Sequence, residues 1–246
     1  MKENELIVKS PIAAFNALFG EAGGIPRNKL VLIAAPAGNG RSMMVNNLAT
    51  WVTTPERELC EAEAPEAVNL VLGDSPLGAI RHLTAITGCD PSVEVLGWLA
   101  VERQFLNRKL IPYLETLDNF AAAVTHNAGN GIRPRISIVD YQTAERQDLL
   151  TALQGGPAHT MVVMGSLTRD GVKKIAEKGT AAVGTTDIIQ FQLEQAADYV
   201  LVQHIVRRDE ERLLEVRLVK RDGEILSENG PSVLMKIDFS GKLCAL

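Results

Sequence analysis

The 246-residue chain is poor in the residues that mark several protein classes. It has three cysteines, Cys60, Cys89 and Cys244, widely spaced and without a C-x-x-C pair. That is neither a zinc framework nor a disulfide scaffold, and it suits a reducing cytoplasm. Aromatic residues make up 4%, which leaves few rings on which nucleic-acid bases could stack. No run of about 18 or more apolar residues occurs, so no segment reads as a membrane span. The first ten residues, MKENELIVKS, are polar and mixed in charge, unlike a secretory leader. Positive charge is also short. Lys+Arg number 25 against 30 Asp+Glu, a formal charge of -5, which argues against coating nucleic acid by bulk charge but leaves room for a local basic patch. What is abundant is apolar: 46% of residues are hydrophobic, enough for a full core. The expectation is one cytoplasmic domain over residues 1–246, with residues 1–9 as a short N-terminal extension.

Short apolar runs alternate with stretches long enough for helices. The runs at 30–34, 68–72, 136–139, 161–164 and 199–202 read as strands buried on both faces. The stretches 42–53, 77–87, 103–123 and 146–154 read as helices. Strand and helix in alternation imply parallel βαβ units and an α/β fold. The C-terminal part changes character. Residues 211–220 and 232–239 alternate apolar with polar, and Asp222-Gly223 is a turn signal, so an antiparallel hairpin is expected at the sheet edge. Residues 55–65, 127–134 and 169–186 read as loops. The mixed charges at 207–212 read as an exposed hairpin end, and Trp51 and Trp98 as core. The four histidines, His82, His126, His159 and His204, are dispersed, with no metal-ligand spacing.

The sharpest motif is Ala35-Pro36-Ala37-Gly38-Asn39-Gly40-Arg41-Ser42, between an expected strand and an expected helix. A glycine-rich loop in that context can cradle phosphate with its backbone N–H groups and the helix N-terminus. Ala37, Gly38, Asn39, Gly40, Arg41 and Ser42 are therefore candidate nucleotide-binding residues. Arg41 stands where a phosphate loop normally carries lysine, and a planar fork is not a compact ammonium. Ser42 is a candidate Mg²⁺ ligand through its hydroxyl. Asp140 is the second, because a carboxylate ending an apolar strand can reach a metal from the strand tip. A glycine turn with no ligand is the alternative reading.

Taken in order, the motifs resemble the RecA-like motor domain of DnaB-type replicative helicases, over roughly residues 10–240. The likeness runs through Gly23-Gly24-Ile25-Pro26-Arg27-Asn28-Lys29-Leu30, the phosphate loop, Asp74-Ser75-Pro76, and Ile138-Val139-Asp140-Tyr141-Gln142. It continues through Gly165-Ser166-Leu167-Thr168-Arg169, Asp187 with Leu193-Glu194-Gln195-Ala196-Ala197-Asp198, and Val219-Lys220-Arg221-Asp222-Gly223. Plasmid replication helicases and KaiC-like clock ATPases share this core. The resemblance implies a mostly parallel sheet flanked by helices, ATP and Mg²⁺ as cofactors, a homo-oligomeric ring or filament, and single-stranded DNA as a partner. It implies catalytic roles for Asp74 at the base position, Ser166 at the sensor position, and Lys220 or Arg221 as the cation reaching a neighbouring subunit. It also places Arg169, Lys173, Lys174 and Lys178 in a loop facing DNA.

The departures lie on one reaction path. Arg41 replaces lysine, Asp74 is a methylene shorter than glutamate, Ser166 replaces glutamine, and the family's separated Lys and Arg are adjacent as Lys220-Arg221. The family's N-terminal collar is absent from these residues. Two readings follow: a helicase-like component of a phage or mobile element with weakened hydrolysis, or a catalytically degenerate assembly or regulatory module, working with an active paralogue in one version.

Overall fold

The computed structural model describes residues 6–53, 68–72, 136–140, 160–189, 193–226 and 230–246. Near the N-terminus, β1 (Leu6–Val8) pairs antiparallel with β2 (Ile25–Pro26), and α1 (Ala13–Ala17) lies between them in sequence. Next come β3 (Leu30–Ala35), α2 (Arg41–Thr53), β4 (Val68–Leu72), β5 (Ile136–Asp140) and β6 (Thr160–Ser166). They are followed by α3 (Arg169–Lys178), α4 (Leu193–Ala196), β7 (Tyr199–Arg208), β8 (Glu211–Arg221), β9 (Glu224–Ile225), β10 (Ser232–Ile237) and β11 (Leu243–Ala245). The main sheet has nine strands in the order β11-β10-β8-β7-β3-β6-β5-β4, with β9 paired to β8. From β7 through β3, β6 and β5 to β4 the pairings are parallel; from β7 out to β11 they are antiparallel.

All six residues of β3 are buried. Successive side chains of a strand point to opposite faces, and here both faces are covered. Val31 and Ile33 join a core with Met44, Val45 and Leu48 of α2. Leu30, Leu32 and Ala34 join a second core with Ile175 of α3 and Leu193 of α4. The apolar run is therefore continuous rather than alternating, as a strand inside a parallel sheet requires. Trp51 belongs to the first core, as expected, with its ring centroid 5.3 Å from that of Phe15.

The expected strands at 30–34, 68–72, 136–139 and 161–164 are present as β3 to β6, and α2 occupies the first expected helix. The helices expected at 77–87, 103–123 and 146–154 lie outside the described residues. β7 runs well past the expected 199–202 because it continues as one arm of a hairpin with β8, closed at Asp209 and Glu210 with φ 47° and 71°. Two consecutive positive φ values belong to the two-residue turn whose twist matches that of the strands. The signal at Asp222-Gly223 closes a different, shorter hairpin, β8 with β9, while β10 pairs with the middle of β8.

One expectation is corrected. Residues 169–186 are not a loop: α3 fills their first half. Thr168 caps it, its hydroxyl accepting from the Gly171 N–H at 3.0 Å, and Gly179 ends it at φ 74°. Its buried stripe is only Gly171 and Ile175, since a Cβ at Gly171 would come within 2.9 Å of Asp187. Val172, Ile175 and Ala176 do recur at helical spacing, but the glycines at 171 and 179 give the segment the look of a loop.

Candidate functional site

β3 ends where the chain turns over the sheet edge into α2. The Asn39 N–H donates to the Pro36 carbonyl at 3.2 Å, and Gly38 and Gly40 take φ values of 74° and 77°. Side-chain-bearing residues adopt that region only under strain. A Cβ at Gly40 would also meet Met43 Cε at 2.8 Å, whereas at Gly38 nothing lies within 4 Å. Gly40 thus lets the loop pack inward, and Gly38 leaves its outer side open. The first N–H groups of a helix have no partner within the helix and carry its positive end, so the start of α2 is suited to an anion. The next strand after β3 lies beyond β6, while the next after β6 lies on the other side of β3. Open sheets bind ligands at such a reversal, beyond the strands' C-terminal ends.

The loop is fastened on two sides. Toward β7, the Asn39 carbonyl accepts from Gln203 Nε2 at 2.8 Å and its Oδ1 accepts from the Ile205 N–H at 3.0 Å. Gln203 is fully buried, and its Oε1 has no partner among the described residues. Nothing in the sequence marked this residue beyond a lone amide following an apolar run. Toward β6, Arg41 Nη1 donates to Ser166 Oγ at 2.7 Å. Ser166 is the last residue of β6, in register with Ala35.

Asp140 ends β5, in register with Met164 of β6, so its backbone reaches the same edge of the sheet as the loop. Its side chain and the whole of Asp74 lie outside the described part. Among the described residues no group of His, Cys, Asp and Glu is assembled as a metal site, and no helix is long and apolar enough to cross a membrane.

Lys220 and Arg221 sit at the opposite end of the sheet. Arg221 is level with Tyr199, itself level with Val31 near the start of β3. Lys220 is buried, and its ammonium donates to the carbonyls of Glu194 and Gln195 at 2.9 and 2.7 Å. Arg221 Nη2 donates to the Leu18 carbonyl at 3.0 Å. Beside them, Lys29 donates to Asp198 at 2.9 Å and Asp222 at 3.1 Å, while the other Asp198 oxygen accepts from the Leu30 N–H at 2.8 Å. The hydrogen bond that Lys29 donates to Asp198, with the one to Asp222 adding to it, holds the ammonium above its usual pKa against the opposing effect of burial.

The basic cluster is divided by its helix. At about 3.6 residues per turn, Arg169 and Lys173 share one face and Lys174 and Lys178 another. Lys174 is paired with the buried Asp187 at 2.8 Å. Asp187 also accepts from the Gly184 N–H at 3.0 Å, so it braces the segment next to the β6 tip.

His204 follows Gln203 on β7. Burial holds its imidazole below the usual value of 6.5, with Glu215 across the ladder pulling the other way. The unfolded chain therefore takes the proton first as pH falls, and stability is expected to decline as pH drops through about 6.5. Urea unfolding at about pH 8 and pH 5.5 would measure this slope, and His204→Gln is expected to flatten it. An unchanged slope in the variant would assign the effect elsewhere.

No family model matches the sequence, and no match was found among curated proteins. Solved structures do match. The ATPase domain of G40P aligns over 99% of this chain and 93% of its own, with TM-score 0.65 and 17% identity. A DnaB-like replicative helicase, solved for its interactions with primase, aligns over 98% of this chain with TM-score 0.64 and 17% identity. The chain spans 62% of that helicase's length. The order of the sheet and these alignments agree: this chain has the RecA-like fold of DnaB-like helicase ATPase domains.

Proposed function

We propose that the chain binds ATP with Mg²⁺ at the loop between β3 and α2. In this reading it is a DnaB-like P-loop protein that assembles with copies of itself and acts on DNA with weakened hydrolysis. The observation that carries the reading is the pair of left-handed glycines, Gly38 and Gly40, joining a buried parallel strand to a helix N-terminus at the sheet's reversal point. The loop suits phosphate: both glycines hold left-handed backbone that a side chain would strain, and Gly38 leaves an open approach. The backbone from Ala37 to Ser42 and the Arg41 guanidinium would hold the phosphates. Ser42 and Asp140 would hold Mg²⁺, which neutralises phosphate charge in this chemistry. Asp74 would orient water, and Arg169 and Lys173, exposed on one face of α3, would offer the contact to single-stranded DNA.

A second reading, assembly without turnover, is favoured by the far end of the sheet. Lys220 and Arg221 are engaged by carbonyls of their own chain rather than presented to a neighbour. An active paralogue would then have to supply the cation.

Calorimetry with ATP and Mg²⁺ tests binding. The wild-type chain is expected to take up ATP, and Gly40→Ala to lose it through left-handed strain and the contact with Met43. No heat at millimolar ATP would sink the nucleotide reading. Phosphate release then separates the two readings: robust hydrolysis by the chain alone, abolished in Asp140→Ala, would remove the assembly-only one.

A further inference from the structure

We infer that Arg41 and Ser166 act as one polyphosphate-recognition unit, in which Ser166 is a positioning residue that sets the plane of the Arg41 guanidinium. The inference rests on the nucleotide reading of the phosphate loop. Read singly, each residue is a departure from the family pattern; in the fold they meet across 125 positions, Nη1 to Oγ, at 2.7 Å. That separation lies in the range of charge-assisted hydrogen bonds.

Both ends are anchored on regular structure. Arg41 is the first residue of α2. Ser166 closes β6, where its backbone is in register with Ala35 and its carbonyl accepts from the Ile189 N–H at 2.9 Å. A guanidinium is a planar fork, so fixing one nitrogen restricts the directions of the others, which a single-point ammonium would not allow. Holding a long side chain in place before binding lowers the ordering cost of the complex. The contact joins the start of α2, which follows β3, to the end of β6, and β3 and β6 are the two strands between which the sheet reverses.

The ligand class is the polyphosphate of a nucleoside di- or triphosphate. The test titrates the full chain with Mg²⁺·ATP and Mg²⁺·ADP in wild type, Ser166→Ala, Ser166→Thr, Arg41→Lys and the Arg41→Lys/Ser166→Ala double variant. Ser166→Ala is expected to weaken ATP binding about tenfold, the scale of one hydrogen bond to a charged group. The same change in the Arg41→Lys background is expected to cost about twofold or less, because the partner is gone. Ser166→Thr keeps the hydroxyl and is expected to bind within about threefold of wild type.

Equal losses in both backgrounds overturn the pairing, as does a threonine variant as weak as alanine. If Arg41→Lys binds no ATP, the alanine–threonine comparison decides alone. A Ser166→Ala effect confined to the unliganded melting temperature makes the contact a stability element and overturns the inference. A wild-type chain that binds neither nucleotide removes the nucleotide reading itself, a result distinct from all of these.

Discussion

Gly230→Ala is expected to lower the melting temperature by on the order of 10 °C while leaving the phosphate loop untouched. Gly230 is buried where the chain approaches β8 before turning into β10. An added Cβ would sit 2.2 Å from the Leu218 carbonyl oxygen and 3.4 Å from Leu226 Cβ. The approach is fixed from both sides. The Leu218 N–H donates to the Pro231 carbonyl at 2.9 Å, and Arg217 Nη1 donates to the Gly230 carbonyl at 3.0 Å. The obstacle is backbone within a paired strand, so no rotamer change relieves it. Overpacking a well-filled site costs about 1–3 kcal/mol, with more where the neighbour cannot move. Thermal unfolding measures the effect, and a variant melting within about 1 °C of wild type would refute the tight approach.

Lys220→Met is expected to cost about 2–4 kcal/mol of folding stability. The methionine stem fills much of the same volume, but the ammonium donates to two carbonyls at the end of α4, and its removal takes both hydrogen bonds away. A positive charge at a helix C-terminus also opposes the exposed carbonyl dipoles favourably. The prediction separates two roles for this residue. A lysine that serves a neighbour's nucleotide would be dispensable for folding and needed only for turnover. A lysine that ties α4 to β8 is needed for folding in a single copy. Urea unfolding of the dilute chain discriminates, and unchanged stability in Lys220→Met would return the residue to the trans-acting role.

The parts of the fold legible in the sequence are those where one face-independent property suffices. β3 is buried on both faces, so its run of Leu30, Val31, Leu32, Ile33 and Ala34 shows as unbroken hydrophobicity. The loop between β3 and α2 is legible because its glycines answer a local backbone demand. What was not legible depends on partners far along the chain. α3 packs through Gly171 against Asp187, so a glycine that reads as a loop residue stands on its buried side beside Ile175. Lys220 is bound by backbone carbonyls, which any sequence possesses. Arg41 and Ser166 could each be noticed as unusual, but only the adjacency of β3 and β6 joins them. Gln203 drew no reading from the sequence and is a fastening of the loop beneath it.

The position of β3 has a consequence for how the chain is made. This strand lies between β6 and β7, yet those neighbours begin 125 or more residues after its own end, at Thr160 and Tyr199. The amide of Leu30 waits for Asp198, 168 positions later. During synthesis, then, the most apolar segment near the N-terminus exists as an unpaired strand while most of the chain is still to be added. Pairings of such separation close slowly, because the loop entropy precedes the reward. Refolding from urea is expected to show a slow concerted phase, during which β3 is the segment most open to association with other chains. A refolding trace complete within about a millisecond would contradict it.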